Sequence, residues 1–397
     1  LSRDARHPEM AKKRIGILTG GGDVPGVNAA IRSIVHRLDL HGHEAVGLRR
    51  GWAALINVSA DDDEVARRRW IAPLTVQNTR NIDRSLGTVL HTSRVNPSIV
   101  KPGRVPEHLA GEGTPGEKGT IDLTAAAIRA VGLLELDGLI AIGGDGTLSF
   151  ARRLAEEGVP LVAMPKTMDN DVFGTDYCLG FSTSVTRAVQ FIQDLKSAAE
   201  SHERFLICEL FGRYSGETSL LASYLAGTDR ALIAEVPFDW NLLFDLLSRD
   251  RMDNTSGFAV LAVSEGACPI GGRPTGFGRV DDFGNPTLGG IGQEISDYFE
   301  QRTGERVIYQ RIAYLMRSGA PDSVDQLVAN TYGVLAADLA HAGDFGKLVA
   351  VSGGRYGAVP LEITGQGRKR VDVAKFYDAS SYRPKLSNVL GLPMFLH

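Results

Sequence analysis

Ile15-Gly16-Ile17-Leu18-Thr19-Gly20-Gly21-Gly22-Asp23-Val24-Pro25-Gly26-Val27 is the stretch from which the fold is read. A short apolar run follows Lys13-Arg14, seven residues dominated by glycine come next, and from Val27 to Leu38 apolar residues recur at helical spacing. That order is strand, glycine loop, helix. It returns at Gly138–Ile142, which passes into Gly143-Gly144-Asp145-Gly146-Thr147 and a helical pattern over Leu148–Glu157, then at Leu161–Met164 and Phe205–Leu210. Strands alternating with helices predict an α/β fold with parallel-rich sheets covered by helices. Such sheets bind ligands at the carboxyl ends of their strands, so the loops are expected to converge.

With 397 residues, 43% of them hydrophobic and 23% charged, the chain has enough apolar material for two lobes. A second lobe is expected after the helical segment Thr183–Ser197, with a strand at Phe258–Val263 and a helix at Ile291–Thr303; Lys101–Gly119, rich in Gly, Pro and Glu, reads as a mobile loop or insertion. A formal net charge of -4 argues against nucleic acid or an anionic membrane as partner. Cys178, Cys208 and Cys268 are far apart and form no CxxC pair, which argues against a disulfide framework or zinc site. No apolar run reaches the length of about 18 residues that a membrane helix needs, and cytoplasm is the expected location. Leu1–Glu9 read as a remnant ahead of a start at Met10.

The chemistry is concentrated in Pro165-Lys166-Thr167-Met168-Asp169-Asn170-Asp171. Asp169 and Asp171 lie two apart, so in extended chain they project to one side, where like charges need a cation, a donor or a shared proton. A magnesium-phosphate substrate would supply the cation. Asp145, set among glycines, is suited to reach magnesium, while the backbone of the two glycine loops is suited to phosphate oxygens. Gly20–Gly26 does not match GxGxxG, which disfavours a dinucleotide site. Arg94, Arg204, Arg213 and Arg317 sit among small or polar neighbours; each alone reads as a surface ion pair, and together they form a phosphate-binding set. Arg67-Arg68-Arg69 reads as a solvated helix face, and the nine histidines form no recognisable metal constellation. Backbone donors, a metal carboxylate and a carboxylate able to take a hydroxyl proton make a phosphoryl-transfer kit.

From Ile15 to about Tyr377 the chain resembles the phosphofructokinase family. Thr19–Ala30 is similar to that family's opening phosphate loop, Gly143–Thr147 to its nucleotide and magnesium loop, Pro165–Asp171 to its catalytic loop and Phe211–Gly216 to its sugar-phosphate loop. The resemblance implies two Rossmann-like lobes with the active site in the cleft between them: a donor lobe over 10–182, a sugar-phosphate lobe over 183–360 and a C-terminal extension over 361–397, with lobes able to exchange segments. It implies that Asp169 is the general base for the C1 hydroxyl of fructose 6-phosphate, that Thr167 helps hold that substrate, and that Asp145 ligates Mg2+ with Asp171 in support. Arg213 would offset charge on the migrating phosphoryl group. Gly21, Gly22, Arg94, Gly144, Asp145, Gly146, Thr147 and Lys166 would line the donor site. Phe211, Gly212, Glu265, Tyr314 and Arg317 would hold the sugar phosphate, and Arg204 would reach a neighbouring subunit's site in a homotetramer or homodimer. Tyr314 stands where many bacterial members carry histidine, as in the plant and trypanosome branch. Arg306 and Arg311 are candidates for a further sugar-phosphate arginine, and His36 occupies one effector position where the family carries basic residues.

Two positions bear on the donor. In the family that the chain resembles, aspartate at position 146 goes with pyrophosphate, since it would fill the space and oppose the charge of the nucleotide α-phosphate, so Gly146 implies ATP. Lys166 is similar to the pyrophosphate-dependent enzymes, yet the plant and trypanosome branch combines it with glycine and uses ATP. ATP is the expected donor and pyrophosphate the alternative. A nucleotide-binding oxidoreductase would leave Asp169 and Asp171 idle, and a non-catalytic subunit would have no need of the full set Asp145, Thr167, Asp169, Asp171 and Arg213.

Overall fold

The computed structural model describes residues 11–85, 87–280, 286–385 and 395; the expected remnant before Met10 falls outside them. The opening stretch folds as β1 (Arg14–Thr19) and α1 (Val27–Leu40). The first sheet also contains β2 (Glu44–Leu48), β3 (Ile71–Leu74), β4 (Gly138–Gly143), β5 (Leu161–Pro165), and two late strands, Lys347–Ser352 and Arg355–Pro360. From one edge its order runs Arg355–Pro360, Lys347–Ser352, β5, β4, β1, β2, β3. Neighbours are parallel except at the two edge pairs. Every residue of β4 is buried, as expected for a strand covered on both faces.

The second sheet is wholly parallel, with Phe205–Leu210 and Ala259–Ser264 at its centre and Ile308–Arg311 and Arg230–Leu232 at its edges. Helix Phe181–Ser201 carries the chain between the sheets. One apolar cluster joins Ile17, Ile140 and Met164 of the first sheet to Leu206, Cys208, Val260 and Ala262 of the second, while separate clusters fill the outer face of each sheet. Among the described residues no helix is long and apolar enough to cross a membrane. Lys101–Gly119, expected as a mobile loop or insertion, contains short 3-10 turns at Pro102–Arg104, Glu107–Leu109 and Glu117–Gly119, with Leu109 buried.

The lobe boundary at residue 360 needs correction. After the second sheet the chain returns: helix Ser323–Ala342 packs against α1, and Lys347–Ser352 pairs with β5 through Lys347↔Val162 and Leu348↔Ala163. The reason is physical, since the buried strand β5 would otherwise present an unpaired edge. The described part of 361–397 is not an appendage either. Leu361 lies in the first lobe's core, whereas Val371, Phe376, Tyr377 and Tyr382 lie in the second's. Among the described residues up to Lys385 the chain therefore crosses between lobes three times.

The returning helix is fastened to α1 by side chains that sequence reasoning set aside. Arg37 and His41 both bond Asp338, His41 stacks on His341 with centroids 3.8 Å apart, and His43 Nε2 lies 2.9 Å from His341 Nδ1. The Lys13 backbone N–H donates to His43 Nδ1, so that nitrogen carries a lone pair and Nε2–H donates to His341. Both rings are neutral in this arrangement. Burial is the largest cause lowering the pKa of each, helped by the neighbouring imidazoles and Lys13. Unfolded imidazoles titrate near about 6.5, so below that pH the unfolded chain binds protons that the folded chain resists. Stability is expected in full above about pH 6.5 and to fall as pH drops toward 5.5. Thermal melts at the two pH values should show this loss, and His43→Gln should make it smaller; an equal loss in the variant would contradict the account.

Candidate active site

A cleft of about 240 Å³ opens where β1, β4 and β5 end, facing the carboxyl ends of Phe205–Leu210 and Ala259–Ser264. Of the predicted residues it gathers Gly21, Gly22, Arg94, Gly144, Asp145, Gly146, Thr147, Lys166, Thr167, Asp169, Asp171, Phe211, Arg213, Glu265, Tyr314 and Arg317. Gly212 and Arg204 are not in its wall. Gly212 has φ 136°, a conformation that suits glycine, and its carbonyl accepts from the Ser264 hydroxyl and from Gly266 N–H, so it shapes the turn that presents Phe211 and Arg213. Arg204 precedes the strand Phe205–Leu210, at the end away from the cleft.

The first glycine loop works differently from the expectation. Gly20 N–H donates to Ile142 O at 3.0 Å and Gly21 N–H to Ser93 O at 2.9 Å, so neither is available to a phosphate. Lys166, 2% exposed, is what holds the loop: its ammonium donates to Gly20 O at 2.7 Å and Gly22 O at 2.5 Å. Burial, countered by Asp23 and aided by Arg317 and Arg94, lowers its pKa to about 7. Gly22 lies directly under the Arg317 guanidinium, which a Cβ at this position would force to move. The second loop opens helix Asp145–Glu156, which places Asp145 in the first turn and leaves the helix amino end toward the cleft. Thr147 is 1% exposed, with its hydroxyl buried and without a partner among the described residues.

In the catalytic loop the chain is not extended. Asn170 takes φ 53°, held by its side chain, which accepts from Cys178 N–H at 2.8 Å and donates to Asp176 O at 3.0 Å and Glu217 at 3.1 Å. A side chain that bonds locally favours that backbone, and the turn brings Asp169 and Asp171 into one cleft without alternation. Thr218 Oγ1 donates to Met168 O from the second lobe. The Asp169 amide donates to Thr167 Oγ1 at 3.2 Å.

The carboxylates oppose one another. Burial raises the pKa of Asp169, against Arg317, Arg213 and the Arg213 backbone N–H. Asp171 is pushed up to about 7 by burial, then by Asp169 and Asp145, with Arg368 and the Thr167 hydroxyl opposing. Glu265 is pushed up to about 7 by burial and Asp169, against Arg213 and Arg311. Asp169 Oδ1 is buried and has no hydrogen-bond partner among the described residues. An orphaned carboxylate oxygen between two arginines is poised to accept a proton from a hydroxyl. On the opposite wall the Arg317 guanidinium lies 4.7 Å from the Phe211 ring centroid, and Tyr314 meets Phe211 edge-on at 5.8 Å.

The phosphofructokinase family model matches residues 14–340. The chain is 35% identical to the ATP-dependent 6-phosphofructokinase of Corynebacterium efficiens, over 94% of this chain and 99% of that protein. The chain belongs to the phosphofructokinase family. It is also 34% identical to the pyrophosphate–fructose 6-phosphate 1-phosphotransferase of Amycolatopsis mediterranei, over 93% and 99% of the two chains. The fold matches the phosphofructokinase structure from Saccharomyces cerevisiae with a TM-score of 0.70 at 20% identity; the match covers 89% of this chain but only 45% of the yeast chain.

Within this phosphofructokinase cleft three side chains escaped a role at the level of sequence. Arg311, named only as a candidate, lines the wall and pairs with Glu209 at 3.1 Å and Glu265 at 3.7 Å; Arg306 is not in the wall. Tyr214 and Arg368 also line it, and Arg368 pairs with Asp145. Arg368 lies some 200 residues from its partner, in a segment with no motif to mark it. Among the described residues no three His, Cys, Asp or Glu side chains form a metal cage. Asp145 with Asp171 nearby nevertheless fits Mg2+, which takes one or two carboxylates and fills its shell with water and substrate phosphate.

Removing the loop clamp by Lys166→Met leaves two carbonyls without their donor. It should cost about 1–3 kcal/mol of stability in denaturant melts, and unchanged or increased stability would show that the cost of burying the ammonium outweighs its bonds.

Proposed function

We propose that this phosphofructokinase transfers the γ-phosphoryl group of ATP to the C1 hydroxyl of fructose 6-phosphate, giving fructose 1,6-bisphosphate and ADP. The observation that carries the reading is the partnerless Asp169 oxygen at the floor of the cleft, flanked by Arg213 and Arg317. Asp169 takes the hydroxyl proton as the C1 oxygen bonds to the γ-phosphorus and the bond to the bridging β–γ oxygen breaks. Burial raises its pKa and makes it a better proton acceptor, and the two arginines oppose that rise. Arg213 faces both the base and the migrating group, where its charge offsets that of the transition state. Glu265, Phe211, Tyr314 and Arg317 position the sugar phosphate, and Thr167 braces the loop through Asp171 and the Asp169 amide.

On the donor side, Asp145 with Asp171 in support would hold Mg2+, which when bound neutralises donor phosphates. Arg94 and the amino end of helix Asp145–Glu156 supply the remaining attraction. Lys166 supports ATP over pyrophosphate: two of its three ammonium protons are spent on Gly20 O and Gly22 O, so it acts as a loop clamp before it acts on a phosphate. Gly146 adds no side chain against a nucleotide. In the assembly Arg204 would serve a neighbouring copy's sugar phosphate in a homodimer or homotetramer, a state gel filtration reads directly; the cytoplasm is the compartment expected for this reaction.

With fructose 6-phosphate and Mg2+, the purified protein is expected to turn over with ATP, and Gly146→Asp to lose ATP use selectively. Turnover with pyrophosphate alone would overturn the donor assignment. Asp169→Asn should lower kcat by about 10²- to 10⁴-fold with the melting transition unchanged, and an unaltered kcat would remove Asp169 as the base.

A further inference from the structure

Arg368 belongs to none of the motif loops, yet the third crossing of the chain is built to place it. Val172 and Arg368 form an antiparallel bridge. The Lys369 N–H donates to Asp171 O at 3.0 Å, and the Val371 N–H donates to Glu235 Oε1 at 3.0 Å. Glu235 in turn accepts from Gly216 N–H at 3.0 Å, at the end of the sugar-phosphate loop. The backbone on either side of Arg368 is thus pinned to the catalytic loop and to the second lobe.

Its side chain is held twice. The guanidinium carbon lies 3.9 Å from the Tyr214 ring centroid, and Nε pairs with Asp145 Oδ2. The side chains of Arg368 and Asp145 are 33% and 34% exposed. A pair at that depth is in contact with water and can exchange partners, unlike the Arg230–Asp250 pair, whose side chains are 6% and 8% exposed. The carboxylate that Arg368 occupies is the one suited to the metal. A divalent cation carries twice the charge and binds carboxylate oxygen directly, so the two compete for one partner.

We propose that in the metal-free protein Arg368 stands on Asp145 in place of the divalent cation and that the entering cation displaces it. This exchange rests on the reading of Asp145 as the metal ligand. Until the exchange, Arg368 screens Asp145 and Asp171 from each other; after it, the guanidinium keeps its seat on Tyr214, and its charge then faces the donor phosphates instead of a carboxylate. Arg368 is a positioning residue for metal entry, and the C-terminal segment becomes part of the donor site.

The test is Mn2+ binding to the full chain without nucleotide, followed by electron paramagnetic resonance of the free ion. Four proteins are compared: the unaltered protein, Arg368→Gln, Asp145→Asn and the double variant. Arg368→Gln should bind Mn2+ about 3- to 10-fold more tightly than the unaltered protein, the range expected for removing one competing charge at a partly exposed site. Asp145→Asn should bind more weakly, and adding Arg368→Gln to it should restore nothing. The exchange is overturned if Arg368→Gln binds no more tightly than the unaltered protein, or if its gain persists undiminished beside Asp145→Asn, which would mark a general field effect. If Asp145→Asn alone binds as the unaltered protein does, the metal assignment of Asp145 falls, and the exchange with it. Should Arg368→Gln fail to fold, Arg368→Lys, which keeps the charge but cannot stack flat on Tyr214, is expected to tighten Mn2+ binding by a smaller factor; no tightening overturns the proposal equally.

Discussion

Asp169 sits where burial disfavours its charge, and the groups that counter this, Arg213 and Arg317, belong to the second lobe. The same dependence holds elsewhere in the cleft. Asp171 leans on Arg368, from the segment after the first sheet is complete, and Glu265 leans on Arg213 and Arg311. Carboxylates gathered at strand ends can remain ionised only if cations from other parts of the chain are kept at fixed distance. The relative placement of the two sheets is therefore an electrostatic requirement of the site as well as a packing outcome. Asp325 shows how the chain meets it. Fully buried on the returning helix, it accepts from the Tyr177 hydroxyl, from Gly180 N–H and from Thr183, at the amino end of the helix that first left for the second lobe. Two crossings are fastened to each other by one carboxylate, and the third passes over the catalytic loop.

What could be read from sequence was local. Hydrophobic periodicity and glycine placement located β1, α1, β4, β5, the strand Phe205–Leu210 and the helix Ile291–Thr303, because each is determined by residues within about a dozen positions. The convergence of the motif loops was also legible, since each follows a strand of a parallel sheet. What was not legible depended on partners distant in the chain. Nothing near Lys347 announces that it pairs with Val162, and nothing near Arg368 announces Asp145. The three histidines at 41, 43 and 341 look scattered until helix Ser323–Ala342 lies along α1. Residue roles inside a recognised loop were obscured by a different effect. Gly20 and Gly21 suggested phosphate-binding amides, but a backbone N–H has one proton to give, and Ile142 O and Ser93 O take these. Asn170 broke the alternation expected of Asp169 and Asp171 because its own side chain stabilises a left-handed turn.

The donor question illustrates why overall likeness and chemistry can part. Relatives named for ATP and for pyrophosphate match this chain at 35% and 34% identity over nearly equal lengths, so similarity summed over the chain does not discriminate between them. Acceptor chemistry needs a base, two lobes in register and several arginines, and such a set cannot be altered one side chain at a time. Under the proposed function, donor choice would depend on far less: the volume at Gly146, the proton inventory of Lys166 and the charge beside Asp145. A lysine whose protons are committed to loop carbonyls contributes structure first and phosphate affinity second. The same residue type with those carbonyls turned away would have three protons for a phosphate. Of the two carbonyls that take those protons, Gly20 O belongs to the peptide unit whose N–H, from Gly21, is held by Ser93 O, so the clamp on Lys166 is built partly by the opposite side of the loop.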